Sequence, residues 1–373
     1  MTVLTGVALT SLLAWLWLAL GQGRFWRTDE RLPRREPTYR ANWPSVAIVV
    51  PARDEAGVLP RTLPTLLAQE YAGPTTVIVV DDASSDGTGD IARAGGADVV
   101  DASDPPPGWT GKLHALQRGI ERAGDVEFLL LTDADIAHEP NSLTALVEAA
   151  DGRDLVSQMA RLRVSTPWER LIVPAFVYFF AMLYPFGWVN RPNGRTAAAA
   201  GGCSLVRRTA LERAGGLDAV RGAVIDDVAI ARIVKRGGGR IWLGLAEQVT
   251  SIRPYPRLAD LWQMVARSAY AQLRHSVVLL AGTVLGLGLV FLAPVAALIG
   301  GAVAGDPLAA GLGAATWLIM AATFTPMLRY YRQPVVIAFT LPFTATLYLA
   351  MTVDSARQHW LGRGASWKGR TYW

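Results

Sequence analysis

Apolar positions in this chain follow two patterns. Between residues 46 and 132, short β-branched runs alternate with longer amphipathic stretches. Val46–Val50, Thr76–Val80, a weaker run at 97–100 and Glu127–Leu131 have the length and composition of strands. Stretches near 58–70, 88–94, 112–123 and 141–150 have helical length and spacing. Strands and helices alternating at this interval predict βαβ units and an α/β fold with a mostly parallel sheet. The second pattern is long and continuous: apolar runs at 2–20, 171–189, 277–305, 308–328 and 334–353, each of membrane-crossing length.

Charge placement sorts those runs. Arg24, Arg27, Arg31, Arg34 and Arg35 follow the first one, which predicts an uncleaved anchor with its N-terminus outside. Arg329 and Arg332 place the loop after 308–328 inside. If 334–353 also crosses, the tail with Arg357, Arg363, Lys368 and Arg370 lands outside, against the positive-inside tendency. Pro334 and Pro342 allow a bent or re-entrant element instead, and both readings stay open. The run 171–189 is not read as a crossing. It would put a bilayer between Asp133/Asp135 and Asp226/Asp227, and Pro174, Pro185 and Gly187 interrupt it. An interfacial or buried element touching a lipid substrate is expected there. The predicted layout is an anchor at 1–23, a basic linker at 24–45, a catalytic domain at 46–275, membrane helices at 276–353 and a basic tail at 354–373.

Composition agrees with a membrane protein: of 373 residues, 51% are hydrophobic and only 18% charged. The net charge of +5 comes without a basic stripe interleaved with aromatics, so anionic lipid is expected as partner rather than nucleic acid. A single cysteine, Cys203, excludes an intrachain disulfide, and the four histidines lack zinc-ligand spacing, so no structural metal is expected.

The chemistry lies in the acidic residues that follow strands. Asp54 and Glu55 follow the first, Asp81 and Asp82 the second, Asp133 and Asp135 the fourth. In an open α/β sheet, ligands bind beyond the carboxyl ends of the strands, so the three clusters should converge on one crevice. Converging carboxylates need cations or hydrogen-bond donors, which a divalent metal and a nucleotide would supply. Asp133 and Asp135 suit Mg²⁺ or Mn²⁺ shared with substrate phosphates. Asp81-Asp82 would bond the donor's base or ribose, or simply build an Asx turn with Ser84, Ser85, Asp86 and Gly87. Lys112 would neutralise a diphosphate, or be a solvated lysine at a helix start. No GxxxxGK[ST] loop exists, and GLGAAT at 311–316 lies in a membrane run.

Gly201-Gly202-Cys203 reads as a glycine turn entering a strand, where close backbone approach suits an acceptor; Cys203 reads as a packed thiol. Thr209 and Glu212 predict a capping box on the next helix. Asp226-Asp227 opens an amphipathic helix, either as a cap or as a catalytic base. Gln263 and Arg267 share one helical face, which otherwise reads as solvated or headgroup-facing.

PARDEAG, VVDDASSDGT, TDAD, GGCSLVRR, IDDVAIA and QMVAR, in that order across 46–270, resemble the family 2 glycosyltransferases of GT-A fold. PPGWTGKL, LLLTDADIAH, YPFGWVN, RTAAAAGGC, GGRIWLGL, RPYP and the terminal WKGR are similar to the hopene-associated members found in bacterial hopanoid gene clusters. The resemblance implies an inverting transferase with a UDP-sugar donor, a divalent cation and a lipid acceptor. It implies a multi-pass protein of the bacterial inner membrane with a cytosolic catalytic domain. Pro51, Ala52, Asp54, Glu55, Asp81, Asp82, Lys112 and Asp133 would surround the nucleotide, and Asp133 and Asp135 would hold the metal. Asp227, with Asp226 beside it, would be the base, and Gln263 and Arg267 would match the start of a QxxRW motif. Ser268 replaces that tryptophan, which removes the expected stacking and favours a single transfer over polymerisation. The competing readings are a polyprenyl-phosphate glycosyltransferase, whose acceptor phosphate needs no base, and a non-catalytic membrane scaffold.

Overall fold

A computed structural model describes residues 2–32, 40–363, 365–367 and 370–372. Arg34 and Arg35 of the basic linker, and Lys368 and Gly369 of the WKGR segment, lie outside the described residues. Eight strands form the main sheet: β1 Val46–Ala52, β2 Thr75–Asp81, β3 Asp98–Asp101, β4 Phe128–Thr132, β5 Ile136–His138, β6 Leu155–Arg161, β7 Cys203–Arg207 and β8 Ile241–Ser251. Their order is β3-β2-β1-β4-β7-β6-β8-β5. The first four are mutually parallel, as the βαβ rhythm predicts. β7 runs antiparallel to both β4 and β6, and β5 antiparallel to β8, so the second half of the sheet is mixed.

β5, β6 and β8 were not visible in the apolar pattern, and β6 shows why. Its Ser157 and Gln158 are buried polar residues. Ser157 Oγ donates to the carbonyls of Ala200 and Cys203, at 3.2 and 3.1 Å, so the site is satisfied by tertiary contacts no periodicity reports. The capping box expected at Thr209 and Glu212 does not form. β7 runs directly into helix Arg208–Arg213, Arg207 is its N-cap without a side-chain bond, and Glu212 pairs with Arg208 Nε at 2.8 Å.

Five segments are long and apolar enough to cross a membrane: 3–20, 167–189, 277–304, 307–330 and 335–360. Helix Val3–Leu20 packs on a π-helical turn at Gly288–Leu292. A π turn disturbs the regular backbone ladder. Two carbonyls there are met from the first helix: Ser11 Oγ donates to Leu289 at 2.8 Å and Trp15 Nε1 to Val290 at 2.6 Å. The helix Pro167–Leu183 starts with a capping box between Thr166 and Glu169. It is buried between the sheet and the membrane-length helices: Tyr178 and Thr323 share a 2.8 Å hydrogen bond, and Phe179 meets Tyr348 at 4.8 Å between ring centroids.

The last segment turns back. At the end of helix Pro307–Tyr330, Tyr330 accepts from Arg161 at its carbonyl (3.0 Å) and donates its hydroxyl to the Ala246 carbonyl on the sheet. After Pro334, the 3-10 turn Val335–Thr340 descends until the Phe339 carbonyl accepts from Trp317 Nε1 at 3.2 Å. Trp317 lies about 20 Å down the helix from Tyr330 at 1.5 Å per residue. Helix Leu341–Trp360 then climbs to helix Leu258–Gln272, where Ser355 Oγ accepts from Tyr270 N at 3.0 Å and Trp262 Nε1 donates to Asp354 at 2.9 Å. Both ends of this segment therefore rest on the catalytic domain. The terminal hairpin, Ala365–Trp367 with Arg370–Tyr372, lies beside helix Leu258–Gln272.

Candidate active site

The carboxyl ends of β1, β2 and β4 open on one edge of the sheet, and the loops that leave them hold one another. Pro51 and Ala52 are buried at the end of β1, paired with Val80 and Asp81. Asp54 has a left-handed backbone (φ 50°), and so has Ala83 (φ 53°). Asp54 N donates to Ser84 Oγ at 3.0 Å and its Oδ1 accepts from Ser85 N at 2.8 Å. Glu55 N donates to Thr88 Oγ1 at 2.8 Å. Asp81 Oδ1 accepts from Ser84 N at 3.0 Å, three residues on, whereas the two-residue Asx turn of this loop is made by Asp86 Oδ1, which accepts from Thr88 N at 3.1 Å. Asp81 Oδ2 lies 2.5 Å from where a Cβ on Gly89 would stand, so a side chain there would displace this carboxylate. Asp82 is fully buried, with Arg53 Nη1 3.6 Å from its carboxylate and 2.7 Å from its carbonyl.

Lys112 is the centre of the acidic cluster. Thr110 caps helix Gly111–Ala123, so Lys112 leaves its first turn. Its Nζ stands 2.8 Å from Asp133 Oδ1 and 3.1 Å from Asp226 Oδ2. Burial works against its positive charge, but Asp133, Asp226 and Asp227 outweigh it and hold the ammonium protonated. Burial also raises the Asp133 carboxyl; Lys112 opposes that shift, and Asp135 and Asp226 reinforce it. Asp135 faces the other way: its Oδ2 accepts from Ser251 Oγ at 3.0 Å and Arg253 Nε at 2.9 Å. Arg253 Nη2 also reaches both Glu55 oxygens at 2.7 and 2.8 Å. One guanidinium thus ties the loop after β1 to the loop after β4.

Asp227 lies in the first turn of helix Asp226–Arg236, whose N-cap is Ile225; neither aspartate is the cap. Asp227 Oδ2 accepts from Gly201 N at 2.7 Å and Oδ1 from Val228 N at 2.7 Å. Burial and the adjacent Asp226 push its pKa up to about 7, against Lys112 and the two N–H groups. A Cβ on Gly201 would stand 3.3 Å from Lys112 Nζ, 3.5 Å from Asp227 Oδ2 and 3.8 Å from Asp133 Oδ2. Gly202 packs tightly on Ile136 and Ala160. Cys203 is buried in the core, its thiol pushed up to about 12 by burial, so of the three only Gly201 lines the crevice. Gln263 and Arg267 share an exposed face of helix Leu258–Gln272. Arg267 lies within electrostatic range of Tyr255, which in turn feels Asp135 and Asp133.

Three contributors escaped the sequence reading. Arg253 lay in RPYP without an assigned role, and no local rule aims an arginine at two distant acids. Glu169 is fully buried and accepts from Thr166 N and Tyr255 N, at 2.9 and 2.8 Å; the T-x-x-E spacing before an apolar run could have found it. Tyr184 ends the apolar helix, accepts from Arg232 Nη2 at 3.2 Å and from Gln272 Nε2, and lies within electrostatic range of Asp227.

The residues suit a hard divalent cation. Asp133 Oδ2 and Asp135 Oδ1 make no hydrogen bond or ion pair among the described residues, so each carboxylate keeps one oxygen for a ligand role. No group of three acidic, histidine or cysteine side chains surrounds a common point among the described residues. The remaining ligands would be substrate phosphates and water, as is usual for Mg²⁺.

Comparison with known proteins agrees with this geometry. Over 109 residues the chain is 37% identical to 4,4'-diaponeurosporenoate glycosyltransferase of Staphylococcus aureus strain bovine RF122 / ET3-1, and 36% identical to that of strain USA300. Each match covers 29% of this chain and 28% of the relative, so the chain spans less than a third of the length of these relatives. A mannosyltransferase from Pyrobaculum calidifontis, solved with GDP-Man and Mn²⁺, superposes with a TM-score of 0.55 at 21% identity, covering 97% of this chain and 100% of that one. That likeness extends to the fold: a GT-A sheet with apolar, membrane-length helices at both ends. Residues 44–271, well over half of the chain, match the family described as Glycosyltransferase like family 2, and the chain belongs to that family of glycosyltransferases.

Proposed function

We propose that this glycosyltransferase inverts configuration as it moves a sugar from a UDP-linked donor to the hydroxyl of a membrane terpenoid, of the hopanoid class. The observation that carries this reading is the placement of Asp227. Its carboxylate is fixed by Gly201 N and Val228 N beside the Lys112–Asp133 pair, and the apolar helix Pro167–Leu183 ends at Tyr184 within its electrostatic range. A base, a phosphate-binding cluster and an apolar approach thus share one crevice.

In this reading the interlocked loops at 53–56 and 83–88 cradle the base and ribose, with Asp82 at their floor. Asp133 and Asp135 hold Mg²⁺ or Mn²⁺, which supplies Lewis-acid stabilisation of the departing diphosphate when bound. Arg253, itself held by Glu55, orients Asp135 directly. Lys112, kept cationic by its carboxylate neighbours, adds a fixed positive charge where the diphosphate charge develops. Asp227 takes the proton of the acceptor hydroxyl as its oxygen attacks the anomeric carbon. Gly201 leaves room for the reacting groups among Lys112, Asp133 and Asp227. Gln263 and Arg267 approach the site from helix Leu258–Gln272.

The lipid class is supported by the resemblance to hopene-associated members and by relatives named for glycosylation of 4,4'-diaponeurosporenoate. For the membrane arrangement we infer three crossings, 3–20, 277–304 and 307–330. Segment 331–360 is re-entrant, and the catalytic domain and tail lie together on the cytosolic side of a bacterial inner membrane. The arginines after the first helix and in the tail support this orientation.

Purified full-length protein in nanodiscs, given labelled UDP- or GDP-sugars with hopanoid or polyprenyl phosphate, tests the proposal. Label on the hopanoid from the UDP-sugar, lost on chelation, is expected. Label on polyprenyl phosphate alone, or transfer indifferent to chelator, would overturn it.

A further inference from the structure

A cavity of about 650 Å³ lies beside the crevice, where the ends of β6 and β8 meet the end of helix Pro307–Tyr330. Arg61, Arg161 and Arg163 line it, with Leu162 and Tyr331 as apolar surface. Ser251 belongs to both places, since it lines the cavity and donates to Asp135. Several arginines elsewhere are matched with acids, among them Arg31 with Glu247 at 3.0 Å, Arg122 with Asp98 at 2.7 Å and Arg253 with Glu55 at 2.7 Å. The cavity arginines are not. Arg161 donates to the Tyr330 carbonyl and lies 5.4 Å from the Tyr330 ring centroid. Arg163 bonds Ser165 Oγ at 3.0 Å. The acid that Arg163 influences, Glu169, already accepts from three backbone N–H groups. Arg61 is exposed, and its guanidinium makes no ion pair or hydrogen bond among the described residues.

Three guanidinium groups around one cavity repel one another unless an anion joins them, and guanidinium geometry matches phosphate oxygens in pairs. The position narrows the source. Tyr331 directly follows the membrane-length helix, and Arg329 and Arg332 flank it, so the cavity opens at headgroup level. We propose that this cavity binds a phosphate ester, the headgroup of an anionic membrane lipid, as a site separate from the donor diphosphate. It stands independently of the acceptor assignment.

The test is a titration of delipidated full-length protein in neutral detergent with short-chain phosphatidylglycerol, short-chain phosphatidylcholine and inorganic phosphate. The double variant Arg61→Gln/Arg163→Gln removes two exposed charges, and Arg118→Gln, on a distant exposed helix face, serves as control. Phosphatidylglycerol should bind in preference to phosphatidylcholine, and the double variant should weaken it roughly tenfold or more, at about 1 kcal/mol per basic residue near a membrane surface. Arg118→Gln should bind as wild type. Unchanged phosphatidylglycerol binding by the double variant, or equal binding of the two lipids, overturns the site. Inorganic phosphate binding as tightly as phosphatidylglycerol, and weakened by the same variant, identifies a soluble phosphate source and overturns the lipid assignment.

Discussion

β3, β2, β1 and β4 run parallel and end in polar loops that bond to one another, whereas β7, β6, β8 and β5 mix directions and rest against apolar helices. The first half is built from contiguous sequence, one loop per strand. The second collects its chemistry from far apart: Gly201 from before β7, Asp227 from helix Asp226–Arg236, Arg253 from after β8, Tyr184 from the end of the apolar helix. The two meet at Lys112, whose ammonium touches Asp133 on one side and Asp226 on the other. In the function proposed above, the first half would recognise the nucleotide diphosphate and the second would receive the lipid acceptor.

The sharpest way to break that division is at the junction. Lys112→Met removes a cation shared by both halves and leaves its partly buried carboxylate neighbours uncompensated. Steady-state transfer should fall about 10²–10³-fold, the range for losing one preorganised donor to developing charge. A loss under tenfold would mean the halves do not communicate through Lys112. Arg253→Gln breaks a second link between the halves, by removing the guanidinium that holds Asp135 and Glu55. A lost partner of a metal ligand typically costs about 10–100-fold, so the cation concentration for half-maximal activity should rise by that amount. An unchanged cation requirement would separate Asp135 from metal binding.

The pH profile probes Asp227. Its pKa is raised to about 7, chiefly by burial and then by Asp226, so the ionised base grows with pH up to that point. Turnover should rise about tenfold per pH unit below 7 and level off above it. Stability has the opposite sign. Between the ordinary carboxylate range and about 7 the folded state binds more protons than the unfolded one, so this group's contribution falls as pH rises through that window. Activity independent of pH between 5 and 7 would remove Asp227 from the rate-limiting step.

Both halves should face the same compartment, and testing that need not change activity. Cysteines at Asp104, Asp218 and Arg363, all exposed, should be labelled from the cytosolic side, and one at Gly305 from the other. The native Cys203 is buried and should stay silent. Labelling of Arg363 together with Gly305 would show that the last segment crosses.

The legibility of the sequence divides along the same line. β1 to β4 could be read because βαβ units repeat a local pattern, and their acids follow strands directly. β6 hides its strand behind Ser157 and Gln158, and the Thr209 box fails because β7 hands over to its helix two residues earlier, with Arg207 as the cap. The apolar run at 334–353 left its course open, since composition is the same for a crossing and a return. The proposed return rests on Tyr330 held by the sheet at one end and Ser355 by helix Leu258–Gln272 at the other, contacts that composition does not report. Arg253 and Tyr184 were invisible because their partners lie far away in sequence.

The most direct test of the central claim is Asp227→Asn, measured as kcat for transfer alongside donor affinity. Asparagine keeps the size and one acceptor oxygen but cannot take a proton. Transfer should fall about 10²–10⁴-fold. UDP-sugar affinity and the melting temperature should hold, because in the proposed reading the donor contacts the other half of the sheet, and an uncharged amide relieves the repulsion from Asp226. Retention of more than about a tenth of wild-type transfer would contradict a base at this position.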